Sequence, residues 1–118
     1  MTDDLYREII LEHYKNPENR GEVEGGIEME EANTLCGDKI KIGVKIKDGI
    51  ITEAKFQGGG CAISMAAADI LMGIVKGKKL SEVQKMSGHE VEKIMGVELS
   101  SSRKKCAYLG LEVLKKIK

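Results

Sequence analysis

From Ile40 onward the chain alternates without a break. Ile40, Ile42, Val44 and Ile46 are separated by Lys41, Gly43 and Lys45, the period of two that sends one row of side chains into a core and the next into water. Asp48-Gly49 follows, a pair that reverses a strand, and Ile50, Thr52, Ala54 and Phe56 then share one face while Glu53, Lys55 and Gln57 take the other. A slip of one residue would turn every one of these isoleucines outward, so the hairpin constrains the fold tightly. A two-residue loop at Asp48-Gly49 pairs Val44 with Glu53 and puts a charge on the buried face. A three-residue loop, Lys47-Asp48-Gly49, instead pairs Ile46 with Ile50, Val44 with Thr52, Ile42 with Ala54 and Ile40 with Phe56, and this register is the expected one. Carried outward, it sets Asp38 opposite Gly58 and Cys36 opposite Gly60, which makes Cys61 a neighbour of Cys36.

The remaining elements read as helices around that hairpin. Thr2 can cap a first helix with Leu5, Tyr6, Ile9, Ile10 and His13 at helical spacing, ended by Asn16-Pro17. Arg20 to Gly26 is a polar, glycine-bearing loop, and Ile27 to Thr34 forms a further strand. Cys61 leads into a helix through Ala62, Met65, Ala66, Leu71, Met72 and Val75, with Gly77 as its stop. Ser81-x-x-Gln84 and Ser87-x-x-Glu90 fit the capping-box pattern of two short helices, the second ending near Gly96. Ser100 to Ser102 can cap a last helix in which Cys106, Leu109, Val113, Leu114 and Ile117 share a face. The expected fold is α+β, a small three-stranded antiparallel sheet with helices packed on one face, in a single domain over residues 1–118.

Charge and composition exclude several function classes. Nineteen basic residues balance nineteen acidic ones, so no overall field attracts nucleic acid or an anionic membrane. One Phe, three Tyr and no Trp leave little for single-stranded bases to stack on. The acidic start, Met1-Thr2-Asp3-Asp4, is unlike a secretory signal, and the most apolar stretch, Ala62 to Val75, carries Ser64, Asp69 and Gly73 and is too short for a bilayer. A cytoplasmic protein is expected. Three cysteines are an odd number, and in a reducing compartment they point to metal, sulfur or redox chemistry rather than disulfides.

Their context sharpens this. Cys36 precedes Gly37-Asp38 at a strand entrance, Cys61 follows Gly58-Gly59-Gly60 at a helix start, and Cys106 follows Arg103-Lys104-Lys105. Helix N-termini and nearby cations favour a thiolate, and the glycines let backbone approach a bound ion and offer N–H groups to sulfur. Asp38 can complete a tetrahedral set of three thiolates and one carboxylate for a soft metal or cluster. Taken singly, a cysteine is more simply a small buried hydrophobe, as Cys106 would be on its apolar helix face, and Asp38 a turn residue. His13 and His89 read as helix-surface or packing residues with no assigned role. No base stands beside a nucleophile, and Gly58-Gly59-Gly60 lacks the Gly-Lys-Ser/Thr of a phosphate loop, so a conventional enzyme is not expected.

Four segments resemble the iron–sulfur cluster assembly scaffolds of the IscU, SufU and NifU amino-terminal type. They are Asn33-Thr34-Leu35-Cys36-Gly37-Asp38, Asp48-Gly49-Ile50-Ile51 to Phe56, Gly60-Cys61-Ala62-Ile63-Ser64-Met65-Ala66, and Arg103-x-x-Cys106-Ala107-x-Leu109. The resemblance implies that Cys36, Cys61 and Cys106 take sulfur from a cysteine desulfurase and hold a transient [2Fe-2S] cluster for recipient apoproteins. It further implies that Asp38 assists assembly or release and that Zn²⁺ can occupy the same pocket. A persulfide would form first on Cys106 in an IscU-like mechanism or on Cys36 in a SufU-like one. Oligomeric state, a homodimer included, stays open. Lys105 stands where the IscU branch has a histidine, and Val97 to Ser102 lacks that branch's Leu-Pro-Pro-Val-Lys segment. The chain also lacks the SufU insertion between the second and third cysteines. A zinc-bound sulfur-transfer protein is therefore the second reading, and a purely structural zinc domain the third.

Overall fold

The computed structural model describes residues 3–33, 37–96 and 101–117. Its elements run α1 (Asp3–Lys15), β1 (Ile27–Asn33), β2 (Asp38–Lys47), β3 (Ile50–Gly59), α2 (Ala62–Val75), α3 (Leu80–Gln84), α4 (Gly88–Met95) and α5 (Ser101–Lys115). The strands form one antiparallel sheet in the order β1-β2-β3. Ile40, Ile42, Val44, Ala54 and Phe56 are fully buried on one sheet face beneath α2 and α5, each large side chain contributing roughly 1.5–3 kcal/mol by leaving water. The opposite face is charged, with Lys39 paired to Glu30 and Lys41 to Glu28, both at 2.9 Å. The expected α+β architecture with helices over one face is the one found.

The hairpin register differs from the expected one. Asp48 and Gly49 both have positive φ, 54° and 80°, the paired left-handed geometry of a two-residue turn, so Lys47 faces Ile50 and Ile46 faces Ile51. A bulge then shifts the ladder. Thr52 is the extra residue, exposed and donating its hydroxyl to the Lys45 carbonyl at 3.2 Å, and beyond it Lys45 faces Glu53, Val44 faces Ala54 and Ile42 faces Phe56. By itself the tight turn would bury Glu53. One extra residue removes that conflict by rotating the strand back into phase. Ile51 is therefore buried and Ile50 exposed. Gly58 faces Ile40 and Gly59 faces Lys39, so Asp38 is not opposite Gly58 as expected. The expected places of Thr2, Thr34, Cys36 and Ser100 lie outside the described residues.

Both ends of β3's outer edge are covered. The Phe56 N–H donates to the Asn19 carbonyl and the Gly21 N–H to the Phe56 carbonyl, both at 2.9 Å, while Ile51 exchanges bonds with Gly77 and Lys78. Capping follows expectation at α4, where Ser87 and Glu90 form the reciprocal box and Gly96 ends the helix at φ 75°. It does not at α3. That helix starts at Leu80 with Lys79 as an uncapped N-terminal residue, so Ser81 already lies inside the first turn. No helix among the described residues is long and apolar enough to cross a membrane.

Asp69 is fully buried in the middle of apolar α2. Its Oδ2 meets His13 Nδ1 at 2.5 Å, its Oδ1 accepts the Asn19 N–H at 2.8 Å, and its carbonyl accepts Asn19 Nδ2 at 3.0 Å. Lys76 completes the group by donating to Asn19 Oδ1 at 2.7 Å. One carboxylate thus ties α1 and the following loop to α2, and His13 is a satisfied packing residue. Asp69→Ala should lower unfolding free energy by about 1–3 kcal/mol in a urea titration, the usual effect of leaving buried donors unpaired.

Tyr108 of α5 donates to the nearly buried Glu92 of α4. That hydrogen bond, with burial and the Glu92 charge adding to it, pushes the phenol up to about 12. A raised folded pKa means the contribution is complete below the ordinary value of about 10 and lost as pH climbs toward the folded value. Melting curves of the parent and Tyr108→Phe should therefore differ at pH 8 and converge between pH 10 and 12.

Candidate metal and sulfur site

Three chain segments deliver the site. Asp38 is the first residue of β2, Cys61 is the N-cap of α2, and Cys106 lies in the second turn of α5. Gly58-Gly59-Gly60 carries the chain from β3 to α2, and the glycine at 60 has a steric reason. A methyl group there would overlap Asp38 Oδ1 and stand 2.8 Å from its Cγ. At Gly59 a methyl would meet nothing within 4 Å. Beside the close approach of an ion expected of this glycine run, Gly60 is needed for the carboxylate itself.

Asp38 is 1% exposed, and its oxygens have separate partners. Oδ1 accepts the Cys61 N–H at 2.8 Å, and Oδ2 accepts the Ser64 hydroxyl at 2.5 Å with the Cys61 thiol 3.9 Å away. Burial is the largest influence and would raise its pKa, but hydrogen bonds from Ser64, the Cys61 N–H and both thiols outweigh it and hold the carboxyl below its ordinary value. The carboxylate also sits at the start of α2, where the helix dipole favours negative charge.

Cys61 is partly exposed. Its sulfur accepts the Ser64 N–H at 3.4 Å and lies 3.4 Å from the Ser64 hydroxyl. Burial again raises the thiol, yet hydrogen bonding with Ser64 and Cys106 overcomes both burial and the nearby Asp38 charge, leaving it below the usual cysteine value. Cys106 is 2% exposed and reaches the same point from α5. Lys104, which sequence reasoning placed as a cation beside it, lies 3.8 Å from Glu92. Cys61 and Cys106 are not joined in a disulfide.

One ligand atom from each of Asp38, Cys61 and Cys106 lies within 4.8 Å of the others. Tetrahedral zinc, with bonds of about 2.3 Å to sulfur and 2.0–2.2 Å to oxygen, sets its ligand atoms roughly 3.5–3.8 Å apart. The 3.9 Å between Asp38 Oδ2 and Cys61 Sγ needs little adjustment, and two thiols with a carboxylate are donor types that a thiophilic cation takes. Of the four expected site residues the structure brings these three together, and Cys36 lies outside the described residues. Sequence reasoning missed Ser64, whose signal was its place three residues after the capping cysteine, where helix geometry folds a side chain back over the N-terminus.

Gly60→Ala should push the Asp38 carboxylate off the Cys61 N–H and lower the stability of the metal-free protein by about 1–3 kcal/mol. Gly59→Ala should be neutral or stabilising by up to about 1 kcal/mol. Denaturant titration of the two variants separates a steric need from a general need for glycine.

Comparison with known proteins returns one family. The model of the NifU-like N terminal domain matches residues 5–117. The zinc-dependent sulfurtransferase SufU of Bacillus subtilis (strain 168) is 37% identical over 131 aligned residues, covering 97% of this chain and 89% of SufU. That alignment is longer than the chain, so SufU carries residues without counterpart here. The iron–sulfur cluster assembly scaffold protein IscU of Thermotoga maritima is 33% identical, covering 94% of this chain and 90% of IscU. The solved structure of FiSufU from Fervidobacterium islandicum AW-1 shares the fold with a TM-score of 0.82 at 23% identity, over 98% of this chain and 97% of that one.

Proposed function

Because the chain belongs to the NifU-like N-terminal domain family, we propose that it is an iron–sulfur cluster assembly scaffold. In this reading it receives sulfur from a cysteine desulfurase, builds a [2Fe-2S] cluster as cargo on Cys36, Asp38, Cys61 and Cys106, and hands it to apoproteins in the cytoplasm. The observation that carries the reading is the convergence of two thiols and a buried carboxylate within 4.8 Å. Thiolates are the ligands iron–sulfur clusters require, and a carboxylate among them holds the cargo less tenaciously than a fourth thiolate would.

Sulfur enters by exchange. A scaffold thiolate attacks the outer sulfur of the desulfurase persulfide, a new S–S bond forms as the old one breaks, and the desulfurase thiolate leaves, with no net oxidation. Reduction of that sulfur to sulfide takes electrons from an external thiol or ferredoxin-class reductant. Of the two acceptor candidates, Cys36 receives the first sulfur in this reading, since Cys106 is 2% exposed and cannot meet a donor protein without its cover moving. Cys61 and Cys106 then supply ligands, and Asp38, already held by two hydrogen-bond donors, yields its place when the cluster departs.

The likeness to a zinc-dependent sulfurtransferase at 37% identity favours a second reading on the same residues. There Zn²⁺ rests on the three thiolates and Asp38, and the protein relays persulfide sulfur without building a cluster.

Metal, acid-labile sulfide and visible absorption should be measured on protein purified without oxygen, before and after incubation with a desulfurase, cysteine, ferrous iron and dithiothreitol. The scaffold reading expects equal iron and sulfide with visible charge-transfer bands, lost in Cys36→Ser, Cys61→Ser and Cys106→Ser and persisting longer in Asp38→Ala. A colourless protein that keeps stoichiometric zinc, gains no sulfide and accelerates the desulfurase would replace it with the sulfur-transfer reading.

A further inference from the structure

Ser64 is fully buried on the first turn of α2 and touches two of the three converging ligands. Its hydroxyl lies 2.5 Å from Asp38 Oδ2 and 3.4 Å from Cys61 Sγ, and its N–H lies 3.4 Å from the same sulfur. A serine hydroxyl has a single hydrogen to donate. The shorter contact assigns that hydrogen to the carboxylate, while the backbone N–H, which any residue would supply, serves the thiol.

This division has a consequence for the carboxylate's aim. A carboxylate held by one hydrogen bond can still rock about Cβ–Cγ within the tolerance of that bond, and a second bond on the other oxygen narrows the swing. The Cys61 N–H fixes Oδ1 at 2.8 Å, and the Ser64 hydroxyl fixes Oδ2 on the side where the thiols lie. The thiols that also donate to the carboxylate lose their protons when they bind a metal, and the Ser64 hydroxyl is then the donor left to keep Oδ2 toward Cys61 and Cys106. Each oxygen has a second lone pair, so Oδ2 can keep the serine bond while facing a cation.

We propose that Ser64 is the positioning residue of this site, its hydroxyl holding Asp38 Oδ2 toward Cys61 and Cys106 so that the carboxylate can serve as an oxygen ligand to a thiophilic divalent cation. The inference rests on the reading of these residues as a metal site, but not on cluster assembly. Partners that orient a ligand in this way typically change metal affinity 10–100-fold when removed.

The test is competition for Zn²⁺ against a chromophoric chelator, with Co²⁺ absorption as a second readout. Parent, Ser64→Ala, Asp38→Ala and the double variant are compared after thermal melts of the metal-free forms. Ser64→Ala should bind Zn²⁺ about 10–100-fold more weakly than the parent, with the Co²⁺–thiolate charge-transfer band retained. In the Asp38→Ala background the same change should alter affinity by less than about twofold, since a residue that acts through Asp38 has nothing left to act on. An equal loss in both backgrounds, or none in the parent, overturns the proposal. Should Ser64→Ala fail to fold, Ser64→Thr and Ser64→Val replace it, alike in shape but only the first with a hydroxyl. Tight binding by Thr and weak binding by Val supports the proposal, and equal binding overturns it. A parent that binds neither Zn²⁺ nor Co²⁺ refutes the metal-site reading itself, a result distinct from a parent that binds and a Ser64 variant that matches it.

Discussion

The hydrogen bond from the Cys61 N–H to Asp38 Oδ1, 2.8 Å long, is the contact on which the site depends. It joins the first residue of β2 to the N-cap of α2 and satisfies one of the helix's orphan amides with a buried charge. That charge tolerates its 1% exposure because backbone, hydroxyl and thiols all donate to it. The same bond fixes where Cys61 begins the helix, and therefore where its sulfur stands relative to Cys106 on α5. Gly60 follows as a requirement, since any side chain there would occupy the carboxylate's space.

A second buried carboxylate organises the rest of α2. Asp69 gathers His13, Asn19 and, through Asn19, Lys76, so α1 and its loop are bound to the helix that presents Cys61. Asn19 in turn accepts the Phe56 N–H at the edge of β3. The two acidic side chains thus tie α2 at its start to β2 and at its middle to α1 and the following loop. Apolar packing of Leu71, Met72 and Val75 against the sheet and α5 supplies bulk stabilisation, while these directional bonds choose which packing is adopted.

The site serves both readings of the chemistry because scaffold and sulfur relay ask the same of it. Each needs thiols at reduced pKa, a ligand that can let go, and some shelter from water. The Cys61 thiol, lowered by Ser64, meets the first demand, and the Asp38 carboxylate, held by donors of its own, is the residue proposed for the second. The burial of Cys106 behind them meets the third.

Alternation along β2, the turn at Asp48-Gly49 and the apolar faces of α2 and α5 were legible from residue order alone, because burial periodicity is a local property of the chain. So was the choice of Asp38, Cys61 and Cys106 as residues to watch, which the fold brings within 4.8 Å of one another, through their settings at a strand entrance and helix starts. The strand register was not legible. The bulge at Thr52 resolves a competition between turn geometry and the burial of Glu53, and either solution satisfies the local pattern. Nor could order alone show that Ser64 and Gly60 belong to Asp38, or that Asp69 meets His13 across 56 positions. Those pairings are decided by the packing of α1, α2 and α5 on the sheet, where a buried carboxylate must find donors and takes those that three-dimensional proximity provides.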